Sequence, residues 1–134
     1  MLSLTADYAL RAVLMLAREP RGRAVQADKI AEAIGAPRNY LAKTMHALTK
    51  SSIVSSARGP LGGFMLAVDP SVLPVARIAD VFDEPRQHTK CLLGRAPCDA
   101  ARPCAAHARW SATMRAAQDA FSTTSVADLL GDAA

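Results

Sequence analysis

Residues 26–50, QADKIAEAIGAPRNYLAKTMHALTK, leave this chain few folds to choose from. Ile30 and Ile34 sit four apart on a short amphipathic helix that Gly35 closes, and Pro37 opens a second helix. Leu41, Met45 and Leu48 fall on the inner face of that second helix. Asn39, Lys43, His46 and Lys50, at i, i+4, i+7 and i+11, fall on another face. Two helices joined by a tight glycine turn, the second with a polar and basic outer stripe, form the helix-turn-helix pattern. The next residues narrow the choice further. SIVSS and FMLAV read as short strands, and ARGPLGG between them reads as a glycine-rich turn carrying Arg58 and Gly59. A two-stranded hairpin directly after a helix-turn-helix makes a winged helix, with the third helix set for a major groove and Arg58 for a phosphate or the minor groove.

Charge agrees with that reading. Residues 1–68 hold nine Lys/Arg against four Asp/Glu, a balance of +5, whereas the remainder holds seven against eight, a balance of −1. A basic N-terminal half is what a DNA-facing domain needs, although a solvated basic face has the same arithmetic. The set expected to face double-stranded DNA is Arg38, Asn39, Tyr40, Lys43, His46 and Lys50 on the helix, with Arg58 and Gly59 on the wing.

Around this unit the pattern stays helical. A first helix is expected over 5–18, capped by Ser3 or Thr5, with Leu10, Val13, Leu14 and Ala17 on its buried face. VARIADVFDEP reads as a short helix ended by Pro85, and a long helix is expected from Cys104 to about residue 123. Its apolar stripe, Trp110, Met114, Ala117 and Phe121, has little of its own chain to cover it. Pairing with the same helix of a second copy solves this, and the resulting twofold symmetry suits a palindromic operator. Packing back onto the first helix is the intramolecular alternative. SVADLL reads as a terminal cap, with Ser125 and Asp128 spaced as a capping box.

The expected fold is therefore mainly α with a small β-hairpin wing, a winged helix-turn-helix plus a long C-terminal dimerisation helix. Its parts are a DNA-binding domain over 1–84, a cysteine-bearing loop over 85–103 and a dimerisation helix with its cap over 104–134. No apolar run approaches the roughly 20 residues of a membrane span, and no secretory leader is evident, so a cytoplasmic protein without membrane contact is expected. No Ser/His/Asp grouping, phosphate-cradling loop or C-x-x-C pair supports catalysis, so the protein is read as a regulator and not as an enzyme.

All three cysteines lie in CLLGRAPCDAARPCAAH, residues 91–107. In a cytoplasmic chain such a cluster points to metal or redox chemistry before a structural disulfide. The residues leave open an iron–sulfur cluster, a zinc site and a thiol–disulfide switch.

Taken together, LTADYALRAVLMLA, IAEAIGAPRNYLAKTMHAL, RGPLGGFMLA and the C-x6-C-x5-C loop before a long helix resemble a family of bacterial winged-helix regulators. That family includes the iron–sulfur cluster regulator, the nitric-oxide-sensing repressor and the cysteine-metabolism repressor. The resemblance spans essentially the whole chain. It implies a homodimeric transcriptional regulator, a repressor in the first instance, whose DNA affinity depends in many members on a 2Fe-2S or 4Fe-4S cluster. Cys91, Cys98 and Cys104 would supply its thiolates. For the fourth ligand the resemblance offers two residues. His107 matches the histidine of a C-x2-H arrangement in two-iron members. Asp7, within TADYALR, matches an aspartate that caps a four-iron cluster from the other subunit, although in a first helical turn it also serves the helix dipole unaided. The first cysteine interval departs from the family, with six residues where cluster-binding members usually have five. Cluster-free members exist, so the alternative is a winged-helix regulator with a thiol/disulfide or zinc switch, Cys3His being an acceptable tetrahedral zinc set. His88 reads as a loop residue.

Overall fold

Ser3 starts the first helix. In the computed structural model, which describes residues 2–83, 93 and 101–131, its hydroxyl accepts a 3.1 Å hydrogen bond from the Ala6 N–H and caps α1 (Leu4–Arg18). Asp7 in the first turn and Arg18 in the last both suit the helix dipole. The deeply buried residues of α1 are Ala6, Ala9, Ala12, Val13 and Leu16. That face is rotated from the expected one: of the four stripe residues only Val13 is fully buried, and Leu10, Leu14 and Ala17 line the margin of the core. The cause is the number of neighbours. The second, third, fourth and last helices all pack on α1, and methyl side chains let several helices approach one axis while leucines fill the flanks.

The helix-turn-helix comes next, α2 (Ala27–Ile34) and α3 (Arg38–Lys50). Gly35 takes φ +71° at the end of α2, and the Ala36 N–H reaches back to the Ala31 carbonyl at 2.9 Å. This left-handed stop satisfies the last carbonyls and turns the chain sharply enough for α3 to cross α2. On α3, Leu41, Met45 and Leu48 are fully buried as expected, and Thr44 joins them with its hydroxyl donated to the Tyr40 carbonyl at 3.0 Å.

The chain leaves α3 through Ser52, the one non-glycine residue with positive φ (+61°) among the described residues. A side chain in this region costs about 1–2 kcal/mol, whereas glycine's extra unfolded-state freedom costs about 0.5–1 kcal/mol. Ser52→Gly is therefore expected to stabilise the protein by about 0.5 kcal/mol, read as a higher urea midpoint at unchanged slope. A lower midpoint would show that the Ser52 side chain contributes something the backbone does not reveal.

The wing is a hairpin, β1 (Val54–Ala57) antiparallel to β2 (Gly63–Leu66), registered from Val54 opposite Leu66 to Ala57 opposite Gly63. It also has a third member that local pattern did not announce. Val25, just before α2, pairs with Phe64 through two 2.8 Å backbone hydrogen bonds. A short 3₁₀ turn (Pro70–Val72), capped by the Asp69 carboxylate on Ser71, leads into α4 (Val75–Phe82). The side-chain and backbone hydrogen bonds from Ser71 hold the Asp69 carboxyl below its ordinary pKa.

The last two helices are α5 (His107–Thr123) and α6 (Val126–Gly131). α5 begins three residues later than expected, leaving Cys104 in the turn before it. It packs along α4 and has no buried residue; Trp110, Met114, Ala117 and Phe121 are half-buried. α6 behaves differently. The Val75 N–H bonds the Thr124 carbonyl at 2.9 Å, the Val126 N–H bonds the Leu73 carbonyl at 2.8 Å, and both Leu73 and Val126 are fully buried. The terminal segment, read from sequence as part of the unit over 104–134, thus contributes to the core of the N-terminal body and packs on α1. The anticipated capping box is present, with Ser125 Oγ accepting from the Asp128 N–H at 3.1 Å and Asp128 Oδ2 accepting from the Ser125 N–H at 2.9 Å. Among the described residues no helix is long and apolar enough to cross a membrane.

Candidate nucleic-acid interface and cysteine site

Burial of Leu41, Thr44, Met45 and Leu48 turns the opposite face of α3 outward. Asn39, Lys43, His46 and Lys50 lie on that face, spanning three helical turns, and all four are exposed. His46 stands edge-on to Phe64 of β2, ring centres 6.3 Å apart at 88°. Because Phe64 is itself bridged to Val25, this contact helps set the wing's position relative to α3.

The other two residues expected on this face have partners inside the chain. The Arg38 guanidinium forks onto the Asp28 carboxylate of α2, with Nε to Oδ1 at 2.8 Å and a second, shorter contact to Oδ2. Both side chains are mostly exposed, so the pair is worth little as a stabilising contact and competes with any phosphate for the guanidinium. Tyr40 is braced against α1: its hydroxyl bonds that of Thr5, and its ring meets Tyr8 edge-on at 5.8 Å. Asp28, Thr5, Tyr8 and Phe64 carried no local signal, since each is joined to its partner only by the fold.

At the hairpin tip Arg58 and Gly59 are exposed, and Gly59 takes φ +100°. The Gly62 N–H closes the turn onto the Gly59 carbonyl at 2.9 Å, and Gln26 at the head of α2 donates to the Pro60 carbonyl at 3.4 Å. Two glycines are sterically required. A Cβ on Gly62 would lie 2.4 Å from the Ala57 oxygen, and one on Gly63, at φ +137°, would lie 2.4 Å from Val25 backbone atoms. Between the wing and α2 opens a cleft of about 460 Å³ whose lining includes Arg23, Gln26, Lys29 and Leu61. Lys29 extends the basic surface beyond the residues picked out by helical spacing, while Arg23 faces Glu19 of the same cleft at 3.8 Å.

The second site is described in part. Cys91, Cys98 and His88 lie outside the described residues; Cys104 and His107 lie within them, both half-buried. The His107 N–H donates to the Cys104 carbonyl at 3.0 Å, so both residues belong to the turn that opens α5. Asp7 is on the first turn of α1, its carboxylate 3.0 Å from Arg11. The Ser3 N–H donates to Asp83 Oδ2 at 3.1 Å, tying the start of α1 to the end of α4. Among the described residues no three His, Cys, Asp or Glu side chains converge. In kind, a thiolate and an imidazole at the head of one helix are donors that both iron and zinc accept.

Comparison with known proteins agrees with this architecture. The family model for Rrf2, described as an iron-dependent transcriptional regulator, matches residues 2–132. A protein of Aquifex aeolicus strain VF5, named as an HTH-type transcriptional regulator, is 38% identical over 128 residues, covering 94% of this chain and 88% of its own. The HTH-type transcriptional regulator IscR of Escherichia coli O1:K1 is 34% identical over 103 residues, which is 77% of this chain and 63% of that protein. Among solved structures, CymR, the global cysteine regulator of B. subtilis, superimposes with a TM-score of 0.86 at 21% identity over 100% of this chain and 98% of its own. IscR of T. potens does so at 0.77 and 24% identity over 100% and 88%. At these identities the two superpositions speak for the fold alone.

Proposed function

The chain belongs to the Rrf2 family of transcriptional regulators, and from that premise we propose that it is a cytoplasmic, homodimeric DNA-binding repressor whose operator affinity depends on an iron–sulfur cluster. The observation that carries DNA binding is the outward stripe of α3, Asn39, Lys43, His46 and Lys50, next to a wing that presents Arg58. In this reading α3 enters the major groove, Lys43 and Lys50 neutralise phosphates, Asn39 reads a base edge, and Arg58 reaches the minor groove. α5 pairs with its copy through Trp110, Met114, Ala117 and Phe121; the absence of any buried residue on α5 in one chain supports this. Twofold pairing sets two recognition helices on half-sites about 34 Å apart, as a palindromic operator requires.

Cys91, Cys98 and Cys104 would hold the cluster as thiolates. His107 would be the fourth ligand, favoured by its place in the turn that carries Cys104, while Asp7 is engaged by Arg11. When bound, such a cluster supplies a centre that reacts with oxidants and nitric oxide. The chain's part is mechanical: the stretch between α4, which packs on α1, and the dimer helix carries Cys91, Cys98 and Cys104, so a group held there would set how the recognition helices are spaced.

Protein purified without oxygen is expected to contain iron and sulfide and to absorb in the visible. Loaded and apo forms should differ at least about tenfold in affinity, at fixed salt, for a duplex selected from a random library. Equal affinities would remove cluster control and leave DNA binding standing. Zinc in place of iron, or colourless protein even after reconstitution, would move the assignment to the zinc or thiol/disulfide alternative.

A further inference from the structure

The wing tip carries an apolar side chain that neither the core nor the α3 stripe uses. Leu61 is 92% exposed, more than any other large hydrophobic residue among those described. A lone exposed leucine usually means little; this one sits on a fixed mount. The tip is closed by the Gly62 N–H on the Gly59 carbonyl, held to α2 by Gln26 on the Pro60 carbonyl, and based on two glycines that admit no Cβ. Three residues away on the same turn is the exposed Arg58, and the cleft beneath Leu61 is lined by Lys29 and by Arg23, whose guanidinium lies 3.8 Å from Glu19 of the same cleft. The leucine thus has Arg58 and Lys29 near it as cations suited to a polyanion, on a turn whose ordering cost is met during folding.

We propose that Leu61 is an apolar wedge for the DNA minor groove, entering beside Arg58 and packing on sugar and base edges at a deformable step. The inference rests on the DNA-binding reading above. Its chemistry is that of other minor-groove proteins, in which a guanidinium senses the narrow, electronegative groove and an aliphatic side chain leans against or between base pairs. Leu61 would add affinity without charge, and would favour sites whose wing-facing steps lack the guanine 2-amino group.

The full-length protein, with a duplex enriched by it from a random-sequence library as probe, supplies the test. Leu61→Ser is expected to weaken binding about tenfold, the scale of burying one leucine side chain, with the slope of log K against log salt unchanged. Arg58→Ala should instead lower that slope by about one for each wing engaged. Replacing adenine by 2,6-diaminopurine at the wing-facing steps puts an amino group in the minor groove and leaves the major groove as it was. It should weaken the wild type about tenfold and Leu61→Ser hardly at all. Wild-type affinity for Leu61→Ser overturns the proposal, as does a change confined to self-association in light scattering, which would assign Leu61 to a protein contact. Failure to enrich any duplex overturns the DNA-binding reading itself, and the wedge with it.

Discussion

Gly63→Ala is expected to destabilise the protein by about 3–5 kcal/mol, an unusually large effect for one added methyl group. Two costs add. At φ +137° a side chain is strained by about 1–3 kcal/mol. The new Cβ would also lie 2.4 Å from the carbonyl carbon and oxygen of Val25, which are backbone atoms with no flexible end to move aside. Relief requires Val25 to withdraw from Phe64, and the two 2.8 Å hydrogen bonds lost are worth about 0.5–1.5 kcal/mol each. Gly22→Ala is the control. Its φ of +84° brings strain, but no atom lies within 4 Å of the new Cβ, so about 1–2 kcal/mol is expected. Urea denaturation distinguishes the two, and a Gly63→Ala midpoint matching that of Gly22→Ala would show that the Val25 contact is not rigid. Since Phe64 also carries the His46 contact, DNA affinity should fall further than unfolding alone explains, measured where both proteins remain folded.

Replacing Lys43 and Lys50 together by alanine should weaken DNA binding by on the order of a hundredfold at about 0.1 M salt, with little change in stability. Both lysines are exposed, and neither belongs to the core. The number that matters more is the salt slope, because each neutralised phosphate contributes about 0.9 to it. A monomer on one half-site would lose about 1.8, and a symmetric dimer about twice that. One titration therefore tests the contacts and the stoichiometry together. Asn39→Ala should behave differently, changing sequence preference while leaving the slope alone, because a base-edge contact releases no counterions. If the double lysine variant kept its slope, α3 would not be the helix that faces the phosphates.

How far the sequence could be read depended on distance along the chain. The α2–α3 turn was legible because a C-terminal glycine, a following proline and the Leu41, Met45, Leu48 spacing all act within a few helical turns. The Ser125–Asp128 capping box was legible for the same reason. The buried face of α1 was misjudged because periodicity ranks positions by hydrophobicity. Where four helices close on one, small side chains take many of the innermost positions, hence Ala6, Ala9 and Ala12 in place of Leu10 and Leu14. Val25 as a third strand member, Pro74 opposite Ser125, Asp28 on Arg38 and Thr5 on Tyr40 are joined only by tertiary folding, whatever their separation along the chain.

The helix-turn-helix, the hairpin wing, the outward basic stripe of α3 and the three thiols grouped before a long helix could all be read from the order of residues alone. Each follows from local backbone preference or from the spacing of apolar residues. It took the folded molecule to reveal that Arg38 and Tyr40 are engaged inside the chain, that α6 closes the core of the N-terminal body, and that Gly63 is irreplaceable and Leu61 held out at a braced tip. Those depend on which surfaces meet when distant segments pack, and close packing is set by the shapes of all the neighbours at once, information that no single stretch of residues contains.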